Sequence, residues 1–177
     1  MAARNLDWPR MTASIARTRV KTPIGWISVE RDPSGVIRAE FESILEGTKD
    51  RARATSKGTD PDLAKVALAI QAFFARNPRP ARSIPTPAGS PFHVRCWDAC
   101  RSIPRGQTRT YAWLAAEAGS PRAIRAAGQA MRRNPLPIIV PCHRVVAASG
   151  VGGFAGAAEP GCTRVTLKQR LLELEQQ

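Results

Sequence analysis

Acidic residues are scarce in this chain: 14 Asp and Glu face 27 Lys and Arg, a formal net charge of +13 over 177 residues. That balance disfavours a basic partner and predicts attraction to a polyanion. Long apolar runs are missing as well. No stretch could span a bilayer, and no basic start, apolar core and small-residue cleavage site marks a secretory leader. A membrane partner is therefore not expected, and the cytoplasm is the default compartment. Histidine is limited to His93 and His143, and cysteine to Cys96, Cys100, Cys142 and Cys162. Without a secretory leader, four cysteines do not make a disulfide framework at this length. Cys96 and Cys100 lie four apart with no Cys-x-x-Cys pair and no second histidine beside them, so zinc is not expected. Cys96, Cys100 and Cys162 read as small buried hydrophobes.

What is present suits a globular chain, with 43% hydrophobic residues and room for one sizeable domain or two small ones. Residues 1–18 read as a loose tail. Residues 19–78 read as an α/β scaffold. Arg19-Val20-Lys21, a turn at Thr22-Pro23-Ile24-Gly25, and Trp26 to Glu30 make a hairpin; Asp32-Pro33-Ser34-Gly35 turns into a third strand, Val36 to Phe41. Glu46 to Gly58 is polar and basic and reads as a loop. Asp60-Pro61 then gives an N-cap and a first-turn proline. Leu63, Val66, Ala67, Ile70, Phe73 and Phe74 follow at helical spacing, until Asn77-Pro78 stops the helix. The Pro-rich stretch 79–90 reads as a linker.

Residues 91–177 read as a second, mainly helical domain. A helix from Phe92 to Arg101 turns Phe92, Cys96, Trp97 and Cys100 inward. Ile103 to Gly106 breaks it, Tyr111 to Ala118 forms a short helix, and Gly119 turns the chain. Ser120-Pro121 caps a third helix running to about Arg132. Two short helices across a Gly turn, the second basic, fit a helix-turn-helix. From Arg101 to Arg144 there are eight Arg, no Lys and one acid, Glu117. Arginine suits bidentate phosphate contacts and stacking, so this stretch is the candidate nucleic-acid surface. The third helix sets small residues (Ala123, Ala126, Ala127, Gly128, Ala130) among Arg122, Arg125, Arg132 and Arg133. Small residues let a helix approach a groove closely; the plainer reading is an Ala-rich helix with solvated arginines.

The sharpest chemistry lies in Asn134-Pro135-Leu136-Pro137-Ile138-Ile139-Val140-Pro141-Cys142-His143-Arg144-Val145-Val146. A thiol is mostly protonated at neutral pH and needs a base or positive field to become a nucleophile. His143 is adjacent, with Arg144 beyond it. On an extended segment neighbouring side chains point to opposite faces, so proton transfer needs a turn or a bridging water.

This block, following Tyr111 and the Ser-Pro-x-x-x-Arg helix, resembles the O6-alkylguanine-DNA alkyltransferases, densely over residues 91–156. The resemblance implies a small N-terminal α/β domain ahead of a winged helix-turn-helix domain that carries the active cysteine. It implies single-turnover repair, in which an alkyl group passes from O6-alkylguanine (with O4-alkylthymine as a second candidate) to the protein. Cys142 would be the acceptor, and His143 the base, acting through water. Glu175 would orient His143, and Asn134 would brace the turn. Tyr111 would crowd the target phosphate and bond the purine, while Arg125 would enter the duplex where the base leaves. The backbone of Cys142 and Val145, with Met131, Pro137, Phe154 and Ala155, would shape the base pocket. The implied partner is double-stranded DNA met through the minor groove by a monomer, and no metal, nucleotide or redox cofactor is implied.

The chain departs from the family pattern in places. The loop from Cys142 to Phe154 is one residue shorter than in many members. Phe154-Ala155 stands where Tyr-Ser or Tyr-Ala is often found. Residues 157–167 look inserted, which leaves Glu173 as a rival to Glu175. Three other functions make different demands on these residues. A lesion sensor related to the family would lack the acceptor cysteine. A winged-helix regulator would bind DNA without regard to lesions, and a Cys-His hydrolase would turn over repeatedly.

Overall fold

The computed structural model describes residues 16–42, 60–77, 79–152 and 163–177. Three strands open the fold: β1 (Ala16–Thr22), β2 (Gly25–Arg31) and β3 (Ile37–Phe41), antiparallel in the order β1-β2-β3. Strand β1 begins three residues inside the stretch read as a tail. The β1–β2 turn is set by Thr22, whose hydroxyl donates to the Gly25 carbonyl at 2.6 Å, and by Gly25 itself at φ 110°. The next turn is an Asx turn, with Asp32 Oδ1 accepting from Ser34 N at 2.9 Å and Val36 N at 3.0 Å.

Helix α1 (Pro61–Phe74) starts as the sequence suggested, with Asp60 accepting from the backbone N–H of Asp62 and Leu63. Its buried stripe of Leu63, Val66, Ala69, Ile70 and Phe73 packs on β1 and β2. Residues 79–90 are more than a tether. Helix α2 (Arg79–Arg82) lies against α1, and Ile84 and Pro87 are buried. Arg101 secures the strap: Nη2 donates to the carbonyls of Ala81 (3.0 Å) and Ile84 (2.7 Å), and Nη1 to Thr86 Oγ1 at 2.9 Å. One planar guanidinium reaches three acceptors, a long-range pairing that proline content alone cannot reveal.

The second half comprises α3 (Pro91–Ser102), β4 (Arg109–Thr110), α4 (Tyr111–Glu117), α5 (Ile124–Arg132), β5 (Val145–Val146) and α6 (Thr163–Gln176). Strands β4 and β5 pair in parallel, Arg109 beside Val145 and Thr110 beside Val146. Gly119, at φ 73°, makes the turn between α4 and α5. Helix α5 starts later than Ser120-Pro121 suggested. Those residues lie in a turn closed by Ala123 N–H to Ser120 O at 2.8 Å, and Ala123 takes the cap position with no side-chain cap bond. An alanine has no oxygen with which to hold the first turn.

One hydrophobic core runs through both halves, from Val20, Ile27, Ile70 and Phe73 to Cys96, Leu114, Ile139, Val145 and Leu171. The Ala39 N–H donates to Pro135 O at 2.8 Å and ties β3 to the segment before Cys142. Trp97 fixes α3 to α5, its indole N–H donating to Ala130 O at 2.9 Å. That carbonyl lies in the last turn of α5 and has no partner within the helix. Gly89 is needed beside the indole, because a Cβ there would sit 2.7 Å from a ring carbon. Replacing Trp97 by Phe is expected to lower the unfolding free energy in urea by about 1–3 kcal/mol, the cost of a buried acceptor left unpaired.

Candidate active site

The reactive segment is built by its own short-range bonds. Asn134 closes a loop, its Nδ2 donating to Val140 O at 2.8 Å and its Oδ1 accepting from Leu136 N at 3.0 Å. Within that loop Ile138 is held at φ 76°, which for a β-branched residue costs about 1–3 kcal/mol and is tolerated because the surrounding bonds overdetermine it. Pro141 then leads into a single 3-10 turn, Cys142–Arg144, closed by Arg144 N–H to Pro141 O at 2.9 Å. The segment is a turn, so the extended geometry that would set Cys142 and His143 on opposite faces is absent. The chain straightens again at β5, where pairing with β4 takes over.

His143 is 1% exposed, and its Nε2 lies 2.9 Å from Glu175 Oε1. Glu175 also accepts from Arg144 Nε at 3.0 Å, Arg144 Nη2 at 2.7 Å and Gly106 N at 3.0 Å. Burial alone would raise this carboxyl, but the bonds from His143 and Arg144 outweigh it and hold the group down at about 2. It is therefore an acceptor at neutral pH, so Nε2 of His143 carries the proton and Nδ1 keeps a free lone pair. Burial holds the imidazole below its ordinary range despite the carboxylate, and Arg144 and Lys168 push the same way. The result is a neutral imidazole held in one orientation. The edge of the ring meets Phe73 of α1, with centroids 5.7 Å apart. Glu173 is exposed and faces Arg170 at 3.4 Å; Glu175 is the acid brought to the histidine.

Cys142 is 7% exposed. Burial raises its thiol above the ordinary range. Opposing that are a hydrogen bond from the Asn134 side chain, the charge of Lys168, and the backbone N–H groups of Cys142 and His143. The thiol is thus protonated at rest, yet donors are already arranged for the anion. Tyr111, the first residue of α4, is half-buried. Burial, with smaller contributions from Cys142 and Cys100, pushes its hydroxyl up to about 12, so it remains a neutral donor.

Lys168 was not anticipated from the sequence. It is fully buried, donating from Nζ to Val145 O at 2.7 Å and Val151 O at 2.6 Å, and it lies over the Tyr111 ring at 5.8 Å. Burial draws it down to about 8, while the Cys142 and Cys100 thiols act in the opposite sense. Its signal was its spacing: Lys168, Leu171 and Glu175 fall on one face of α6.

The structure thus gathers Cys142, Asn134, His143, Glu175, Lys168 and Tyr111. Met131 and Val145 are buried in the core, and Pro137 is partly buried in the loop that Asn134 closes. Arg125 and Arg132 are exposed on α5, and Arg122 and Arg133 are exposed just outside its two ends. Phe154 and Ala155, the shortened loop beyond Gly152, residues 157–162 of the inserted stretch and Cys162 lie outside the described residues.

A protected thiol with a neutral His–carboxylate pair, together with a helix that exposes arginines, defines a thiol group-transfer protein with a nucleic-acid-binding face. Comparison with known proteins sharpens this. The family model described as 6-O-methylguanine DNA methyltransferase, DNA binding domain, matches residues 91–177. The constitutive methylated-DNA–protein-cysteine methyltransferase of Bacillus subtilis is 35% identical over 161 residues, covering 89% of this chain and 93% of that protein. The Methanosarcina acetivorans methylated-DNA–protein-cysteine methyltransferase is 34% identical, covering 88% and 94%. The OGT of Mycobacterium tuberculosis, crystallised with DNA, superposes with a TM-score of 0.63 at 30% identity, covering 91% and 92%. The chain belongs to the methylated-DNA–protein-cysteine methyltransferase family.

Two pH experiments follow. The folded carboxyl of Glu175 lies below its ordinary value of 4.5, so its contribution to stability is full above about pH 4.5 and is lost as pH falls toward 2. Glu175→Gln is expected to be less stable at neutral pH and to show a flatter acid limb in urea unfolding measured from pH 7 to 2. Separately, Lys168→Met should slow alkylation of Cys142 by iodoacetamide at pH 7. The gap should narrow above about pH 8, where the wild-type lysine loses its charge.

Proposed function

We infer that this protein repairs O6-alkylguanine in double-stranded DNA by moving the alkyl group onto Cys142 in a single, stoichiometric event. The observation that carries this is the geometry of the site: a buried thiol on a tight turn, followed directly by a buried histidine whose Nε2 lies 2.9 Å from Glu175 Oε1. Such a site stays quiet in water and becomes nucleophilic only when its proton has somewhere to go.

The steps follow from the groups present. The alkylated base leaves the stack, because a duplex buries its O6 from any side chain; unstacking costs about a few kcal/mol, least where pairing is already weakened. Arg125, exposed on α5, fills the space left behind. The thiol proton passes to His143 Nδ1 through a bridging water, and the developing imidazolium is balanced by Glu175. The thiolate attacks the alkyl carbon in line; the S–C bond forms as the C–O6 bond breaks. Guanine leaves with the electron pair and takes up one proton from the neutral Tyr111 hydroxyl, which is reprotonated through water as the His143 imidazolium gives up the proton it took from the thiol. Net, one proton moves from thiol to guanine and one alkyl group moves the other way. The balance calls for no metal, nucleotide or redox cofactor.

The thioether has no leaving group, so the protein is consumed. Asn134 braces the turn, and the pocket for the base is formed by the backbone of Cys142 and Val145 with Met131, Pro137, Phe154 and Ala155. The protein acts as a monomer on the minor groove, with residues 91–177 as the reactive, DNA-binding part, residues 19–78 as scaffold and 79–90 between them. O4-alkylthymine is a second substrate candidate. No helix among the described residues is long and apolar enough to cross a membrane, and the place of work is the compartment that holds DNA.

Intact mass spectrometry after incubation with a duplex carrying one O6-methylguanine tests the reading. The chain should gain one methylene and saturate at one per molecule, and Cys142→Ala should gain none. His143→Ala and Glu175→Gln should still reach one equivalent, but about 100- to 10,000-fold more slowly, the range of a lost general base. Absence of any gain in the wild type, or continued turnover, would reject it.

A further inference from the structure

We propose that Ile124 is an apolar wedge that presses into the base stack beside Arg125 and helps to open the duplex at the lesion; the proposal rests on the repair function above. Among the described residues three large hydrophobic side chains are exposed, Trp26, Leu68 and Ile124, and only Ile124, 43% exposed, belongs to residues 91–177. Its position explains the exposure. Ile124, Ala127, Gly128 and Met131 share one face of α5; Ala127 and Met131 are buried, but Ile124 is the first residue of the helix and overhangs the edge of the core.

The surface around it is otherwise low. A Cβ built on Gly128, one turn further along the same face, meets nothing within 4 Å. A glycine inside a helix costs about 1 kcal/mol relative to alanine, and no internal packing here demands one. The clearance is therefore kept for something outside the molecule. A single branched aliphatic projects from that hollowed face, flanked by Arg122 and Arg125, both exposed.

Basic residues beside an apolar projection are the chemistry of proteins that unstack DNA: cations hold the phosphates while an isoleucine, leucine or methionine enters between base steps. Water gives this side chain no reason to be there, whereas an opened base step offers it an apolar surface to cover. The arginine replaces the departing base, and the isoleucine supports the neighbouring step that would otherwise collapse.

The test separates DNA from chemistry. Transfer to Cys142 is measured from a duplex carrying O6-methylguanine and from free O6-benzylguanine, a substrate with no stack to open. Ile124→Ala is expected to weaken duplex binding and slow duplex transfer by about ten-fold, the loss expected from removing a few buried methyl and methylene groups. Its rate with the free base should be unchanged. Ile124→Leu should restore duplex transfer, and Leu68→Ala, an exposed aliphatic on α1, should alter neither rate. In a Cys142→Ala background, a 2-aminopurine next to the lesion should brighten less on binding when Ile124 is also alanine. Equal duplex rates for wild type and Ile124→Ala would overturn the wedge. So would an equal fall with both substrates, which would mark Ile124 as structural. If the wild type reacts with neither substrate, the repair function fails instead.

Discussion

The Glu175 carboxylate organises this molecule's chemistry. It sits on the last helix and accepts from His143, from two nitrogens of Arg144 and from the backbone of Gly106. One anion thereby joins α6, the reactive turn and the break that follows α3. Arg144 completes the junction by donating to Ile103 O at 2.7 Å. A buried carboxylate is costly alone and persists only when its lone pairs are filled. Here the partners that satisfy it are also those that must be immobile: a histidine that can face only one way, and a turn that must present a thiol.

Two demands conflict at that thiol. A reactive cysteine must be able to ionise, but one that is ionised at rest would be spent on any passing electrophile. Burial resolves this by keeping Cys142 protonated, while the Asn134 bond, the Lys168 charge and two backbone N–H groups favour the anion once it forms. Lys168 belongs to both sides of the balance. Its ammonium is desolvated enough to sit at about 8, and it is held by the carbonyls of Val145 and Val151 just beyond the reactive turn. The same residue therefore tunes the nucleophile and anchors the chain leaving it.

The first half of the chain supplies support at two defined points. Phe73 of α1 meets the His143 ring, and Arg105 bridges Phe73 O at 3.0 Å and Leu174 O at 2.9 Å, linking the ends of α1 and α6. The strand β3 bonds the loop that carries the cysteine through Ala39 and Pro135. The orientation of the base thus depends on contacts between the halves, and the strap pinned by Arg101 is part of a shared core.

Much of this was readable in the sequence, for a local reason. Strands, caps and helix faces follow from neighbouring residues, so Asp60, Gly119 and the inward stripe of α1 announced themselves. Cys142 stood out equally because proline, cysteine, histidine and arginine stand in direct succession, and the pairing of His143 with it was suggested by adjacency. What the sequence left open involves distance along the chain. Glu175 reaches His143 across 32 residues while Glu173, two residues earlier, faces solvent; composition treats the two alike, and only the rotation of α6 against the turn separates them. Lys168 looked like any surface lysine until the fold closed over it. The strap became structure only where Arg101 found its carbonyls, and the 3-10 turn only where Asn134 closed the loop before it. Residue order determined which groups could react; tertiary packing decided which were buried, which were charged, and which of two similar acids would hold the base.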